Sequence, residues 1–200
     1  MMKTVARSAS RKRAFPRDGY LEATAWFSDC GQFRYRLTRR WSDGPTIAFI
    51  GLNPSSANAE ILDPTVTRCV RRAQTLGYGA ITMLNLFAFV STDRSVLATR
   101  ERVGLPIVGD RTDQVIRRET ARANLVLCCW GVTGALGGRS EDVLTGVLRD
   151  RRLHCLRKTL GGHPEHPLYL PYALKPVPLS RGNGHRRRRH RAESLPAKGH

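Results

Sequence analysis

Four short stretches hold the residue types best suited to chemistry: Gly51-Leu-Asn-Pro-Ser55, Met83-Leu-Asn-Leu-Phe87, Leu127-Cys-Cys-Trp-Gly131 and Gly162-His-Pro-Glu-His-Pro-Leu-Tyr-Leu170. Asn53 follows an apolar run and offers two amide hydrogens and a carbonyl oxygen, enough to hold a water or a substrate edge. Asn-Pro is also a common turn opener, in which the amide serves its own loop. Asn85 interrupts the longest apolar run of the chain (Ala80 to Val90), where an unpartnered amide would cost about 1–3 kcal/mol. It either ties two loops together or reads the Watson–Crick edge of a base. His163 and His166 flank Pro164 and Glu165, and either imidazole could stabilise negative charge developing on a leaving group. Two histidines three apart beside Glu165 also suit zinc. However, Pro164 and Pro167 break the helix that would set both on one face, so neither a metal nor a cofactor is expected. The rings of Phe87, Phe89, Trp130 and Tyr169 could stack on a base or simply fill the core.

These residues need a scaffold. Thr46 to Ile50 reads as a buried strand that ends at Gly51, which places Asn53, Ser55 and Ser56 just beyond it. Asp63 is a plausible helix N-cap, with Pro64 at the first position, apolar residues at 66, 69, 70, 73 and 76, and Gly77 as the stop. Arg68, Arg71 and Arg72 fall mostly on the polar face of that helix. The other expected strands are Ala80–Val90, Leu125–Trp130 and Leu153–Leu156. The other expected helices are Ser91–Leu97, Asp113–Ala123 and one capped by Ser140 and running to Asp150. Tyr20–Phe27 and Gln32–Trp41 form a hairpin, with Phe33, Tyr35 and Leu37 alternating against Arg34, Arg36 and Thr38. Together these predict a three-layer α/β/α sandwich with a mostly parallel central sheet of about four strands plus an N-terminal β-hairpin.

The net charge of +18 divides unevenly. Thirteen of the 34 Lys/Arg and two of the 16 Asp/Glu lie in residues 1–20 and 181–200, leaving 21 bases against 14 acids, a net +7, for the body. The domain plan is therefore a basic disordered arm over 1–19, a single α/β domain over 20–175 and a basic disordered tail over 176–200. Such a balance favours phosphate-bearing partners. Five cysteines without C-x-x-C spacing do not suggest a disulfide framework, and only distant ligands could hold an iron–sulfur cluster. No apolar run approaches the roughly 18 residues of a membrane span, and no secretory leader is read, so no membrane association and a cytoplasmic location are expected.

Phe33-Arg-Tyr-Arg-Leu37, Gly51-Leu-Asn-Pro-Ser55, Asp63-Pro-Thr65, Asn85-Leu-Phe-Ala88, Trp130-Gly131 and the 162–170 segment, in that order, resemble the bacterial domain-of-unknown-function family 1643. More distantly, the same loops are similar to the uracil-DNA glycosylase superfamily. That resemblance implies that Asn53 places the attacking water and Asn85 reads the base edge. It also implies that His163 or His166 stabilises the departing base. Gly51, Leu52, Pro54, Ser55, Asp63, Phe87, Trp130 and Tyr169 would line the substrate site. In departure from the superfamily, the first loop has no carboxylate, and no aromatic residue closely follows Pro54. The implied function is binding of a nucleobase, nucleotide or DNA, with hydrolysis of an N-glycosidic bond. The alternatives are a non-catalytic nucleic-acid-binding or accessory protein and a small-nucleoside hydrolase.

Overall fold

The computed structural model of the chain describes residues 11–14 and 19–180. One sheet organises them. Its strands are β1 (Arg11–Ala14), β2 (Glu22–Phe27), β3 (Arg34–Arg40), β4 (Thr46–Gly51), β5 (Ala80–Asn85), β6 (Leu125–Cys128), β7 (Leu153–Cys155) and β8 (Val177–Pro178). Their spatial order is β1-β2-β3-β5-β4-β6-β7-β8. The central four, β5, β4, β6 and β7, are parallel, and the flanking pairs are antiparallel. The expected count of about four strands plus a separate hairpin is thus corrected to eight in one mixed sheet. The hairpin joins it because Leu37–Arg40 pairs with Ala80–Met83.

The helices are α1 (Pro64–Thr75), α2 (Ser95–Arg102), α3 (Thr112–Arg122) and the short α4 (Arg139–Asp142), which continues as a π-turn to Val147. Both sheet faces are covered, as alternation along β4 requires. Ile47 and Phe49 pack with Val66, Cys69, Val70 and Ala73 of α1. Ala48 and Ile50 face the opposite side, with Leu97, Val115 and Ile116 of α2 and α3. The α1 signals act as read: Asp63 Oδ1 accepts from the Val66 N–H at 2.8 Å, Pro64 opens the helix, and Gly77 adopts φ +79° beyond its end.

Three local expectations are corrected. Helix α2 begins at Ser95 rather than Ser91, because Ser91 and Asp93 are spent on a preceding turn through Ser91 Oγ. Ser140 lies inside α4 and does not cap it; the cap position is Gly138 (φ +76°). The preceding Arg139 turns inward, to Leu86 O at 2.9 Å and to Asp113. Arg72 is not on a solvent-facing surface: it is 1 % exposed, covered by residues 170–174. The basic arm and tail lie mostly outside the described residues. Within their expected bounds, Arg11–Ala14 pairs along β2 and Val177–Pro178 along β7.

β4 is the sheet's switch point. The chain leaves it through α1 to β5 on one side, then returns through α2 and α3 to β6 on the other. In sheets wound this way a crevice opens beyond the carboxyl ends of the strands on either side of the reversal. Here those ends are Gly51 and Cys128.

Candidate functional site

A cavity of about 310 Å³ occupies that crevice. Gly51, Leu52, Asn53 and Ser55 form the wall after β4, Met83 and Asn85 belong to β5, and Cys129 and Trp130 follow β6. The first turn of α1 adds Asp63, Thr65 and Val66, and the loop after β5 adds Ser91, Thr92 and Arg94. His166, Leu168 and Tyr169 close the remaining side, and Arg34 reaches in from the start of β3.

The polar side chains are held in defined orientations. Asn85 is 6 % exposed, and its Oδ1 accepts from Arg34 Nη2 at 3.3 Å. That bond fixes the amide so that Nδ2, without an acceptor among the described residues, lies over the Gly51 backbone. A Cβ at residue 51 would meet Asn85 Nδ2 at 2.9 Å, so glycine is what allows the approach. Asn53 Nδ2 donates to Pro54 O at 3.0 Å and to Ser91 O at 2.9 Å. Both amide hydrogens are thereby used, and Oδ1 has no protein partner among the described residues. The loop-tying role and the ligand-facing role of Asn53 are therefore compatible. Asp63 spends one carboxylate oxygen on the α1 cap while lining the cavity.

His166 caps the single turn Pro167–Tyr169, with Nδ1 accepting from the Leu168 N–H at 3.4 Å. An acceptor at Nδ1 makes Nε2 the protonated nitrogen of the neutral ring. Burial lowers the pKa of His166 below the ordinary histidine value, the Arg94 charge adds to this, and Asp63 opposes it. The imidazole is therefore neutral at pH 7. It acts as an N–H donor, not a cation. Burial likewise pulls the Arg34 guanidinium down to about 10, with Asp63 opposing, and pushes the Cys129 thiol up to about 12. Cys129 is an inert wall.

Of the residues singled out in the sequence, Gly51, Leu52, Asn53, Ser55, Asp63, Asn85, Trp130, His166 and Tyr169 meet at this cavity. Trp130 is 2 % exposed and packed in the core, whereas Tyr169 stands 82 % exposed at the mouth. Four lie elsewhere, Phe89 among them, packed edge-on against Phe33 beside the apolar cluster. Phe87 is 2 % exposed in the apolar cluster on the α3 side of the sheet. Pro54 contributes its carbonyl to Asn53 and to the Ser91 N–H. His163 belongs to a tight turn, its N–H donating to Thr159 Oγ1 at 3.2 Å. Glu165, whose charge would oppose a phosphate, is tied to Arg157 by contacts of 2.7 and 2.8 Å. Among the described residues no group of three His, Cys, Asp or Glu side chains is placed to hold a metal ion, and no helix is long and apolar enough to cross a membrane.

Several working residues escaped the sequence reading: Arg34, Thr65, Ser91, Thr92 and Arg94 around the cavity, and Arg68 and Arg72 behind it. Arg72 donates to the carbonyls of Leu170, Pro171, Tyr172 and Leu174, and Arg68 stacks over the Tyr172 ring at 4.0 Å. These contacts fasten the His166–Tyr169 loop to α1. The Gly131 N–H (φ +72°) donates to Pro164 O at 2.8 Å and fastens the same loop to the end of β6. In the sequence Arg34 stands in an alternating strand and inside the Phe33–Leu37 motif, and neither assigns its side chain to the cavity.

Residues 34–168 match the model of a family described as protein of unknown function (DUF1643). No curated protein and no solved structure matches the chain.

Proposed function

The chain belongs to the DUF1643 family, whose description assigns no activity, and from the cavity itself we propose that this protein binds a nucleobase-bearing ligand and hydrolyses its N-glycosidic bond. The observation that carries the reading is the meeting of Asn53, Asp63, Asn85 and His166, distant in sequence, around one cavity at the switch point of the sheet. We read the fold as a three-layer α/β/α sandwich, on which the order of these loops resembles that of the uracil-DNA glycosylase superfamily.

Each group has a chemical task. Asn85 Nδ2 donates to a base carbonyl, and Oδ1 keeps a second lone pair for a ring N–H beside its Arg34 bond. Asn53 Oδ1 accepts a hydrogen bond from the attacking water, and the free oxygen of Asp63 takes its proton. The water oxygen bonds to the anomeric carbon as the C–N bond breaks, and that bond's electron pair leaves with the base. The resulting anion is met by the Nε2–H of neutral His166. A pre-oriented neutral donor stabilises such charge, and loss of one such group typically costs about 10²–10³ in rate. Tyr169 at the mouth offers a ring face to the base or sugar.

The test is release of free base from uridine, uridine 5′-monophosphate and uracil- or hypoxanthine-containing DNA, read by chromatography. Release from at least one substrate is expected, with His166→Gln and Asp63→Asn each slowing it about 100-fold. Intact substrates throughout, or a His166→Gln protein as fast as its parent, would overturn the reading.

A further inference from the structure

Arg34 is 2 % exposed, yet it takes part in no ion pair among the described residues. Buried guanidinium groups are ordinarily matched by a carboxylate or by a full set of acceptors. Among the other buried arginines, Arg139 pairs with Asp113, Arg72 reaches four carbonyls, and Arg39, which does not line the cavity, donates to the carbonyls of Thr38 and Asn58. Arg34 reaches two oxygens, Ala57 O at 2.7 Å and Asn85 Oδ1 at 3.3 Å, and lines the cavity with donor hydrogens to spare. Asp63 acts on it only through the field.

Two further features point the same way. Arg94 lines the cavity without a partner among the described residues, and its charge is felt at His166. The 12-residue helix α1 brings its first turn to the cavity, where Asp63 satisfies the Val66 N–H. The N–H of Thr65, at the second helical position, has no acceptor within the helix. With His166 neutral, the cavity holds two positive charges against the single carboxylate of Asp63. An incoming anion would balance it.

Building on the nucleotide reading above, we propose that the ligand is a mononucleotide whose terminal phosphate sits between Arg34, Arg94 and the first turn of α1. Phosphate oxygens suit this donor set, which combines arginine, helix-terminal N–H and the Thr65 and Thr92 hydroxyls. A terminal phosphate fits better than a strand phosphodiester for a geometric reason. Arg34 is so enclosed that the group meeting it must enter end-on, while a strand needs two exits. The cavity volume also lies at the small end of the roughly 300–1,000 Å³ typical of ligand sites, which is room for one nucleotide.

Isothermal titration of the full chain with uridine 5′-monophosphate, uridine and inorganic phosphate tests this directly. The monophosphate should bind at least about 10-fold tighter than uridine, inorganic phosphate should compete with it, and Arg94→Gln should remove most of that advantage by weakening the monophosphate more than uridine. Arg94 is exposed, so its replacement leaves folding intact; Arg34→Lys, checked by circular dichroism, provides the second variant. Equal affinity for uridine and its monophosphate would overturn the proposal. So would a preference untouched by either variant, or tight capture of a uracil-containing oligonucleotide by a cavity indifferent to the mononucleotide. Base release without phosphate preference would sink the anion seat and spare the hydrolytic reading; phosphate preference without base release would do the reverse.

Discussion

A methyl group at residue 51 would collide with the amide that the cavity most depends on. Gly51→Ala places its Cβ 2.9 Å from Asn85 Nδ2, while its backbone lies outside the left-handed region that only glycine tolerates. The expected outcome is a folded protein, destabilised by about 1–3 kcal/mol, that has lost ligand affinity; thermal melting and titration on one sample would check both. Asp63→Asn separates two roles in the same way. Asparagine caps a helix as well as aspartate, so stability should change by less than about 1 kcal/mol while base release collapses. His166 yields a pH prediction with a definite sign. Its folded pKa is depressed, so the unfolded chain binds more protons in the window below the ordinary histidine value of 6.5. Stability should therefore be full above that value and fall as pH drops through it, and His166→Gln should flatten that part of a melting-temperature profile. At this scale the sequence showed which residues could act but not what held them. Asn53, Asn85 and His166 stood out because polar groups beside strand ends and prolines are conspicuous. Arg34 did not, because an arginine in an alternating strand looks solvated until distant segments, here those of Ala57 and Asn85, prove to enclose it.

Among the elements, α1 has two functions at its two sides. Its start faces the cavity, and its arginine face grips the closing loop through Arg68 and Arg72. Arg72→Met would leave the carbonyls of residues 170–174 without their donor. A loss of about 2–4 kcal/mol is expected in urea unfolding, with the first proteolytic cut moving into that loop. The limits of α1 were legible because Asp63-Pro64 and Gly77 are local signals. The burial of Arg72 was not, because the covering segment has no periodicity to read. For β3, alternation set Arg34 opposite Phe33, Tyr35 and Leu37; a register shift against β2 between Trp26 and Phe27 breaks that alternation, and Arg34 and Arg39 are buried against the 57–58 segment, whose carbonyls they reach. The same limit explains the strand count. β1 and β8 are four and two residues long, too short for any pattern.

At the scale of the whole molecule, the proposed cavity ligand and a polyanion drawn by the charge of +18 would bind by separable means. Residues 1–20 and 181–200 together carry +11 of that +18, thirteen bases less two acids, and polyelectrolyte contact of that sort weakens steeply with salt. Removing residues 1–10 and 181–200 keeps all eight strands. Such a chain, reduced from +18 to +10, should bind undamaged DNA more weakly and with a shallower salt dependence, measured by fluorescence anisotropy at about 50 and 200 mM salt. Its titration with uridine 5′-monophosphate should be unaltered. The central parallel strands and the place of the cavity were legible from apolar runs and the residues that follow them. The mixed edges depended on pairings between distant segments.

The cavity's contributors begin at Arg34 and end at Tyr169, so they bracket nearly the entire folded region. No early portion of the chain can own the site: a ribosome must release the last of those residues before any ligand has somewhere to go. Occupancy would then act as a staple across the domain, adding about 2.7 kcal/mol at a hundredfold excess over the dissociation constant. A simple melting screen of candidate metabolites would therefore identify the natural ligand by the warmth it lends the protein, without any assay for chemistry.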